Sequence, residues 1–182
     1  MAVLRPWRRA DAPALVVASA DPELARQLGG VPFSDVEDAA AFIASVYRLD
    51  DRSRNWAVVE ADGGSGAVLG NVAVTSIEHT HGTAWVSYWL LPRARGRGLA
   101  TRALVAAVDD AVSLGVHRLE LGHRTNNPAS CAVATRAGFS AEGIERERLR
   151  YGEERFDVET HARLATDPRP AVVPLTLRHD AP

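Results

Sequence analysis

Residues 89–104 read WLLPRARGRGLATRAL, an apolar run that ends at Pro92 and gives way to Arg93, Arg95, Arg97 and Arg102 set around Gly96 and Gly98. Glycines just ahead of a helix expose bare backbone amides, because no Cβ keeps a ligand away. The first amides of a helix have no intrahelical acceptor, and the helix dipole favours an anion there. Arginines add positive charge around the same mouth. The chemistry this spacing suits is the holding of a pyrophosphate.

Three phosphate-binding designs compete. A Walker loop needs Gly-Lys-Ser/Thr, and all 21 basic residues of this chain are arginine. A dinucleotide fingerprint needs a third glycine, where Thr101 stands, although Glu120 lies at a fitting distance for a ribose contact. The third design is R-x-x-G-x-G/A, spelled by Arg93, Gly96 and Gly98. Against all three stands a plain tight turn, which glycines also serve.

A second constellation is NNPASCAVATRAGF, residues 126–139. Asn127 is a helix N-cap, Pro128 takes the first helical position, and Gly138 follows the helix end. Capping alone explains Asn127, and Ser130 could simply accompany the cap. Cys131 reads as a small buried apolar residue, since no histidine base stands near it in sequence. Candidates for a general base are Glu78 with His79 and His81 at a strand end, and Glu120 and His123 on a later strand. Glu120 and His123 are three apart, so a regular strand points them to opposite faces. The run ERERLRYGEER fits cross-strand ion pairs on a solvated face.

Positioning these residues takes a mixed set of elements. VLRPW is a first strand, and residues 11–28 carry helical spacing with Asp11 as cap. Residues 34–49 form a second helix capped by Ser34, with Ala40, Ile43, Val46 and Tyr47 on one face. NWAVVEA and GAVLGNVAVTSIEH are strands joined by the hairpin signal DGGSG, and TAWVSYWLL is a third. Then come a helix at 98–114 stopped by Gly115, the strand VHRLELG, the short helix after Asn127, and two strands flanking RYGE. The order is β-α-α-β-β-β-α-β-α-β-β, an α/β sheet of about seven strands with helices on both faces. The strand-helix-strand crossover in the middle makes one parallel pair. Residues 1–166 form a single domain; 167–182 are a proline-rich, loosely attached tail in which AVVPLTL could lie along an edge or a partner.

Composition sets limits. Net charge is −2, so no global basic field argues for nucleic acid. No apolar run approaches the ~20 residues a membrane span needs, and no convincing signal peptide opens the chain. Cys131 is the sole cysteine, which suits the cytoplasm. The absence of lysine fits arginine-biased coding as well as a surface resistant to self-acylation.

Two of these segments carry a family resemblance. YWLLPRARGRGLATRAL resembles the acyl-CoA-binding segment of the GCN5-related N-acetyltransferase (GNAT) superfamily, and Asn127, Ser130, Gly138 and Phe139 resemble its N-x-x-S…G-F segment. Residues 139–164 are similar to the closing hairpin of the RimJ/RimL-like, ribosomal-protein branch. The resemblance implies a mostly antiparallel central sheet and an acetyl-CoA or other acyl-CoA cosubstrate, with no metal. It implies direct attack by a primary amine, either a protein N-terminal α-amine or a small molecule. Cofactor-binding residues would be Leu90, Leu91, Arg93, Arg95, Gly96, Arg97, Gly98, Leu99, Ala100, Asn127 and Ser130. A backbone amide around Leu90 and Leu91 would face the thioester oxygen. Ser130 would serve the leaving sulfur, and Glu78 is the candidate base. Neither nucleic acid nor membrane is expected as a partner, whereas the last strands or the tail could pair across a homodimer. Alternatives are a small-amine or antibiotic acetyltransferase, a non-catalytic acyl-CoA sensor, and a nicotinamide-dependent reductase.

Overall fold

The computed structural model describes residues 1–27, 33–61 and 66–179. In chain order these form β1 (Ala2–Pro6), α1 (Ala12–Ser19), α2 (Pro22–Gln27), α3 (Val36–Val46), β2 (Arg54–Glu60), β3 (Val68–Glu78), β4 (Thr83–Leu90) and α4 (Leu99–Ser113). There follow β5 (Arg118–Arg124), α5 (Pro128–Arg136), β6 (Ser140–Tyr151), β7 (Glu154–Leu164) and β8 (Thr176–Leu177). One sheet holds all eight strands in the order β6-β7-β5-β4-β3-β2-β1-β8.

Every pairing is antiparallel except β4–β5 and β1–β8. The β4–β5 pair is short: only Thr83, Ala84 and Trp85 face Arg118, Leu119 and Glu120. Beyond Trp85, β4 stays with β3 as far as Leu90, while β5 follows β7 along its whole length. The two strands part into a V. Gly122 lies just inside it, where a Cβ would come within 2.8 Å of Val158 and 3.2 Å of the Trp85 indole. Glycine is favoured there by the close approach of the Val158 methyl, with the indole next.

Strand alternation sends apolar residues to both faces. On one side Leu4, Trp56, Val58, Val72, Val74 and Leu119 pack under α4 and α5. On the other Val3, Ala57, Val59, Trp89 and Leu91 pack under α1, α2 and α3. Helix α4 approaches closely because its buried face is largely alanine (Ala103, Ala106, Ala107 and Ala111, around Leu104).

Several local expectations change in the fold. The single helix over 11–28 is broken: Asp21 accepts from the amides of Glu23 and Leu24 and starts α2 at Pro22. A residue ahead of proline is driven out of helical conformation, so Asp21-Pro22 both stops and restarts the helix. Asp11 does not cap α1 with its side chain, which accepts from the Arg8 amide and forms a buried bidentate pair with Arg5 at 2.7 and 2.8 Å. The cap of α3 is Asp35, which accepts from the Asp38 amide, whereas Ser34 bonds the Asp38 carboxylate. Val46 is exposed while Ala40, Ile43 and Tyr47 are buried. Residues 167–179 of the tail are docked, not loose. Leu175 is buried, its amide donates to the Arg102 carbonyl, and β8 adds an eighth strand beside β1. In the hairpin signal DGGSG, residues 62–65 lie outside the described residues.

Candidate active site

The glycine–arginine loop opens with a 3-10 turn at Pro92–Ala94, where the Ala94 and Arg95 amides bond back to Leu91 and Pro92. Arg95 is therefore satisfied, and free amides begin only after it. Gly96 and Gly98 have φ of 73° and 70°, a left-handed conformation that costs other residues ~1–2 kcal/mol. A Cβ on either would meet nothing within 4 Å. The space beside them is open. The first backbone bond of α4 runs from the Arg102 amide to the Gly98 carbonyl, so the amides of Leu99, Ala100 and Thr101 have no intrahelical acceptor. Arg95, Gly96, Gly98, Leu99 and Ala100 line one end of a cavity of about 390 Å³; Asn127, Ser130 and Val133 line the other.

The arginines do not act together. Of the loop arginines only Arg95 lines this cavity, which Arg136 of α5 also lines. Arg93 turns back and donates to the Val68 carbonyl at 2.8 Å, and Arg97 reaches Glu60 at 3.7 Å. Spacing placed all three near the loop, but alternate residues of an irregular turn point to different sides.

Leu90 and Leu91 also separate. The Leu91 amide donates to the Leu69 carbonyl at 2.8 Å, and its side chain is buried among the α1–α3 contacts. Successive amides of a strand point to opposite edges, so the Leu90 amide faces the V. Leu91 does not contribute to the cavity; Leu90 lines it. The Leu90 carbonyl accepts from Arg95 Nε at 3.1 Å.

The N-terminal turn of α5 forms the opposite wall. Asn127 Oδ1 accepts from the Ser130 amide at 3.1 Å, the cap expected from sequence. The Ser130 carbonyl accepts from the Tyr88 phenol at 3.2 Å. Burial pushes the Tyr88 pKa up, so this hydroxyl stays a donor. Tyr88, Asn127 and Ser130 also line a second cavity, of about 300 Å³, on the far side of the V. Its wall includes Trp85, Arg124 and Tyr151, with Glu23 and Arg26 of α2 at the mouth. The guanidinium carbons of Arg124 and Arg26 stand 5.6 and 5.7 Å from the Tyr151 ring centre. Glu23 is the one carboxylate lining either cavity among the described residues, 3.7 Å from Arg95 and 4.0 Å from Arg124.

Glu78 is nowhere near this junction. It sits at the end of β3 opposite Thr83, where β4 and β5 are still joined. Its carboxylate accepts from the His81 and Thr80 amides at 2.7 and 2.8 Å, and those bonds hold its pKa below the usual range. It closes a turn and is not placed to act as a base. His79 bonds the Asp51 carbonyl, and Glu120 pairs with Arg118. Tyr88, Glu23, Arg124 and Tyr151 were not singled out in the sequence. Tyr88 alone carried a signal, since it lies two residues before Leu90 and therefore on the same strand face.

Residues 2–140 match the model of the acetyltransferase (GNAT) domain. The chain belongs to the GNAT family. It is an N-acetyltransferase with an acyl-CoA cosubstrate. It is 25% identical over 147 residues to the uncharacterized N-acetyltransferase p20 of Bacillus licheniformis, covering 79% of this chain and 82% of that one. To the ribosomal-protein-serine acetyltransferase of Escherichia coli it is 31% identical over 98 residues, 53% of this chain and 55% of the relative. Among solved structures, the Vibrio cholerae spermidine N-acetyltransferase in complex with CoA and spermine superposes with a TM-score of 0.77 at 20% identity, covering 91% and 96% of the two chains. Mycobacterium smegmatis RimJ in complex with CoA-disulfide gives 0.76 at 25% identity, covering 90% and 82%. For the described residues, no helix is long and apolar enough to cross a membrane.

Proposed function

We propose that this GNAT enzyme acetylates the α-amine of a peptide or protein N-terminus. The acyl donor lies along the 390 Å³ cavity and the amine enters through the 300 Å³ one. The observation that carries this reading is their junction at Glu23, Tyr88, Asn127 and Ser130, between the parted strands. A pyrophosphate rests on the amides after Arg95, with the Arg95 guanidinium beside it. The pantetheine arm follows the free edge of β4, and the thioester oxygen meets the Leu90 amide. One donor of this kind is commonly worth ~3 kcal/mol of barrier.

The amine lone pair attacks the thioester carbonyl carbon, the C–S bond breaks, and the proton lost by nitrogen ends on sulfur. Ser130 Oγ hands a proton to the thiolate and regains one from the ammonium of the tetrahedral adduct. The leaving thiol has a pKa of ~8.5, so this assistance is modest. An α-amine with a pKa of ~7.7–8.0 is neutral in roughly a fifth to a third of molecules near pH 7.4, so an ammonium drawn in by Glu23 can pass its proton to water before attack and no dedicated base is needed.

The charge around the second cavity supports one class of acceptor. Glu23 can hold a single ammonium. Arg26 and Arg124 repel a second positive charge, which disfavours a polyamine and suits a peptide whose following residues are neutral or acidic. Spermidine and N-terminal peptides compared as acceptors test this directly. The expected kcat/KM is at least ~10-fold higher for a peptide with an acidic residue near its start, equivalent to ~1.4 kcal/mol. A preference for spermidine overturns it. Ser130→Ala is expected to lower kcat with little change in acetyl-CoA affinity; equal loss of both rejects the role given to Ser130.

A further inference from the structure

On the face of β5 and β7 covered by α5, four potential ligand atoms converge beside the acyl-transfer junction, with His123 also lining the 300 Å³ cavity. His123 on β5 stands directly opposite Glu159 on β7, and His161 lies two residues along the same face of β7. Helix α5 brings Cys131 over them. The four ligand atoms all lie within 4.8 Å of one another. Three are far closer: His123 Nε2 is 3.0 Å from His161 Nε2, and Glu159 Oε2 is 3.0 Å from His161 Nε2 and 3.3 Å from His123 Nε2. No residue in this group has a role in the acyl transfer described above.

Proton counting makes this trio unusual. His123 Nδ1 is 3.0 Å from the Arg124 carbonyl, which can only accept, so Nδ1 carries the hydrogen. Neutral His123 therefore turns the lone pair of Nε2 into the cluster. The Glu159 carboxylate also offers only lone pairs. A single proton, on His161 Nε2, must serve two acceptors that stand 3.3 Å apart.

We propose that His123 Nε2, His161 Nε2, Glu159 Oε2 and Cys131 Sγ form a binding site for a zinc-class divalent ion. In a tetrahedral zinc site with bonds of ~2.0–2.1 Å, neighbouring nitrogen and oxygen ligands stand ~3.3 Å apart. The trio's spacings of 3.0, 3.0 and 3.3 Å lie close to that. The Arg124 carbonyl is the outer partner that fixes the His123 tautomer, as ligating histidines require. Cys131, whose Sγ lies within 4.8 Å of the other three ligand atoms, completes an N₂OS set as thiolate once its side chain turns inward. An open depression lined by His123, Cys131, Glu159 and Pro128 supplies a path for the ion. The ion clamps the helix that carries Asn127 and Ser130 onto β5 and β7. It is a fastening for the donor site, with no part in the chemistry of transfer.

The test uses the whole chain, stripped with a chelator and then loaded with Zn(II) or Co(II). About one equivalent is expected to remain per chain after gel filtration. The cobalt form is expected to show the intense visible bands of a four-coordinate site and a thiolate-to-cobalt charge-transfer band in the near ultraviolet. Cys131→Ser removes the charge-transfer band. His161→Gln weakens binding by more than the roughly 10–100-fold that losing an outer partner costs. His79→Gln with His81→Gln, at the opposite end of β3, leaves binding unchanged. A weak, six-coordinate cobalt spectrum without the thiolate band in the unaltered chain overturns the proposal, whether or not the variants fold. So does binding that survives both Cys131→Ser and His161→Gln.

Discussion

The Tyr88 phenol donates to the Ser130 carbonyl at 3.2 Å and so ties β4 to α5 across the gap left by β5. Ser130 is held twice, through its amide by Asn127 and through its carbonyl by Tyr88. A neutral hydrogen bond of this kind contributes ~1 kcal/mol. Tyr88→Phe is expected to lower kcat about fivefold through misplacement of Ser130, with acetyl-CoA KM nearly unchanged. Steady-state kinetics with both substrates varied measures this, and an unaltered kcat removes Tyr88 from the positioning of Ser130.

Gly98→Ala separates backbone strain from ligand access. The positive φ at 98 costs an alanine ~1–2 kcal/mol, visible as a lower Tm. The new methyl also enters the space over the helix amides. Acetyl-CoA Kd, measured by calorimetry on the folded variant, is expected to rise at least ~10-fold, or ~1.4 kcal/mol. An alanine that costs stability and leaves affinity intact means that the pyrophosphate rests elsewhere.

Arg95 and Arg93 are two residues apart and should behave differently. Arg95 lines the cavity, whereas Arg93 is engaged with the Val68 carbonyl. Arg95→Ala removes a charge-assisted contact of ~1.5–3 kcal/mol and should raise acetyl-CoA KM by ~10-fold or more. Arg93→Ala should leave KM within about twofold, since it touches only the protein. Similar losses in the two variants contradict this division of roles.

Glu78→Gln tests the placement of the general base. Both Glu78 oxygens are occupied by turn amides at the far end of β3. The variant should keep kcat within about twofold and keep the shape of its pH profile. Loss of the acidic limb of that profile returns Glu78 to the mechanism.

Tyr47 gives a stability test independent of catalysis. Burial pushes its pKa up to about 12, against a smaller opposing effect of the Trp89 indole, which donates to its oxygen at 3.2 Å. The folded state holds the phenol proton more tightly than the unfolded state. Stability from this group is whole below pH ~10 and is lost as pH rises from there towards 12, by roughly 2–3 kcal/mol. Denaturant titrations of Tyr47→Phe should show a flatter decline across that window, and an identical decline rejects the assignment.

Punctuation and helix starts were legible in the chain because they depend on neighbours a few positions away. Gly98, Asn127, Pro128 and Gly138 mark their turns by φ, missing hydrogens and capping oxygens, and the ends of α4 and α5 follow from them. Alternating apolar residues likewise announced the strands that carry the site. The Asp21-Pro22 break carried a local signal as well, but helical spacing on both sides obscured it. Which way a group faces depended on partners far along the chain. The Leu91 amide is consumed by Leu69, Arg93 by Val68, and Glu78 by its own turn. Glu23 reaches the junction only because α2 folds over the parted strands, and His123, Cys131, Glu159 and His161 meet only through the β5–β7 register and the helix above it. Short-range sterics and hydrogen bonding are written into adjacent residues; convergence of side chains from separate elements arises from packing, which no single stretch encodes.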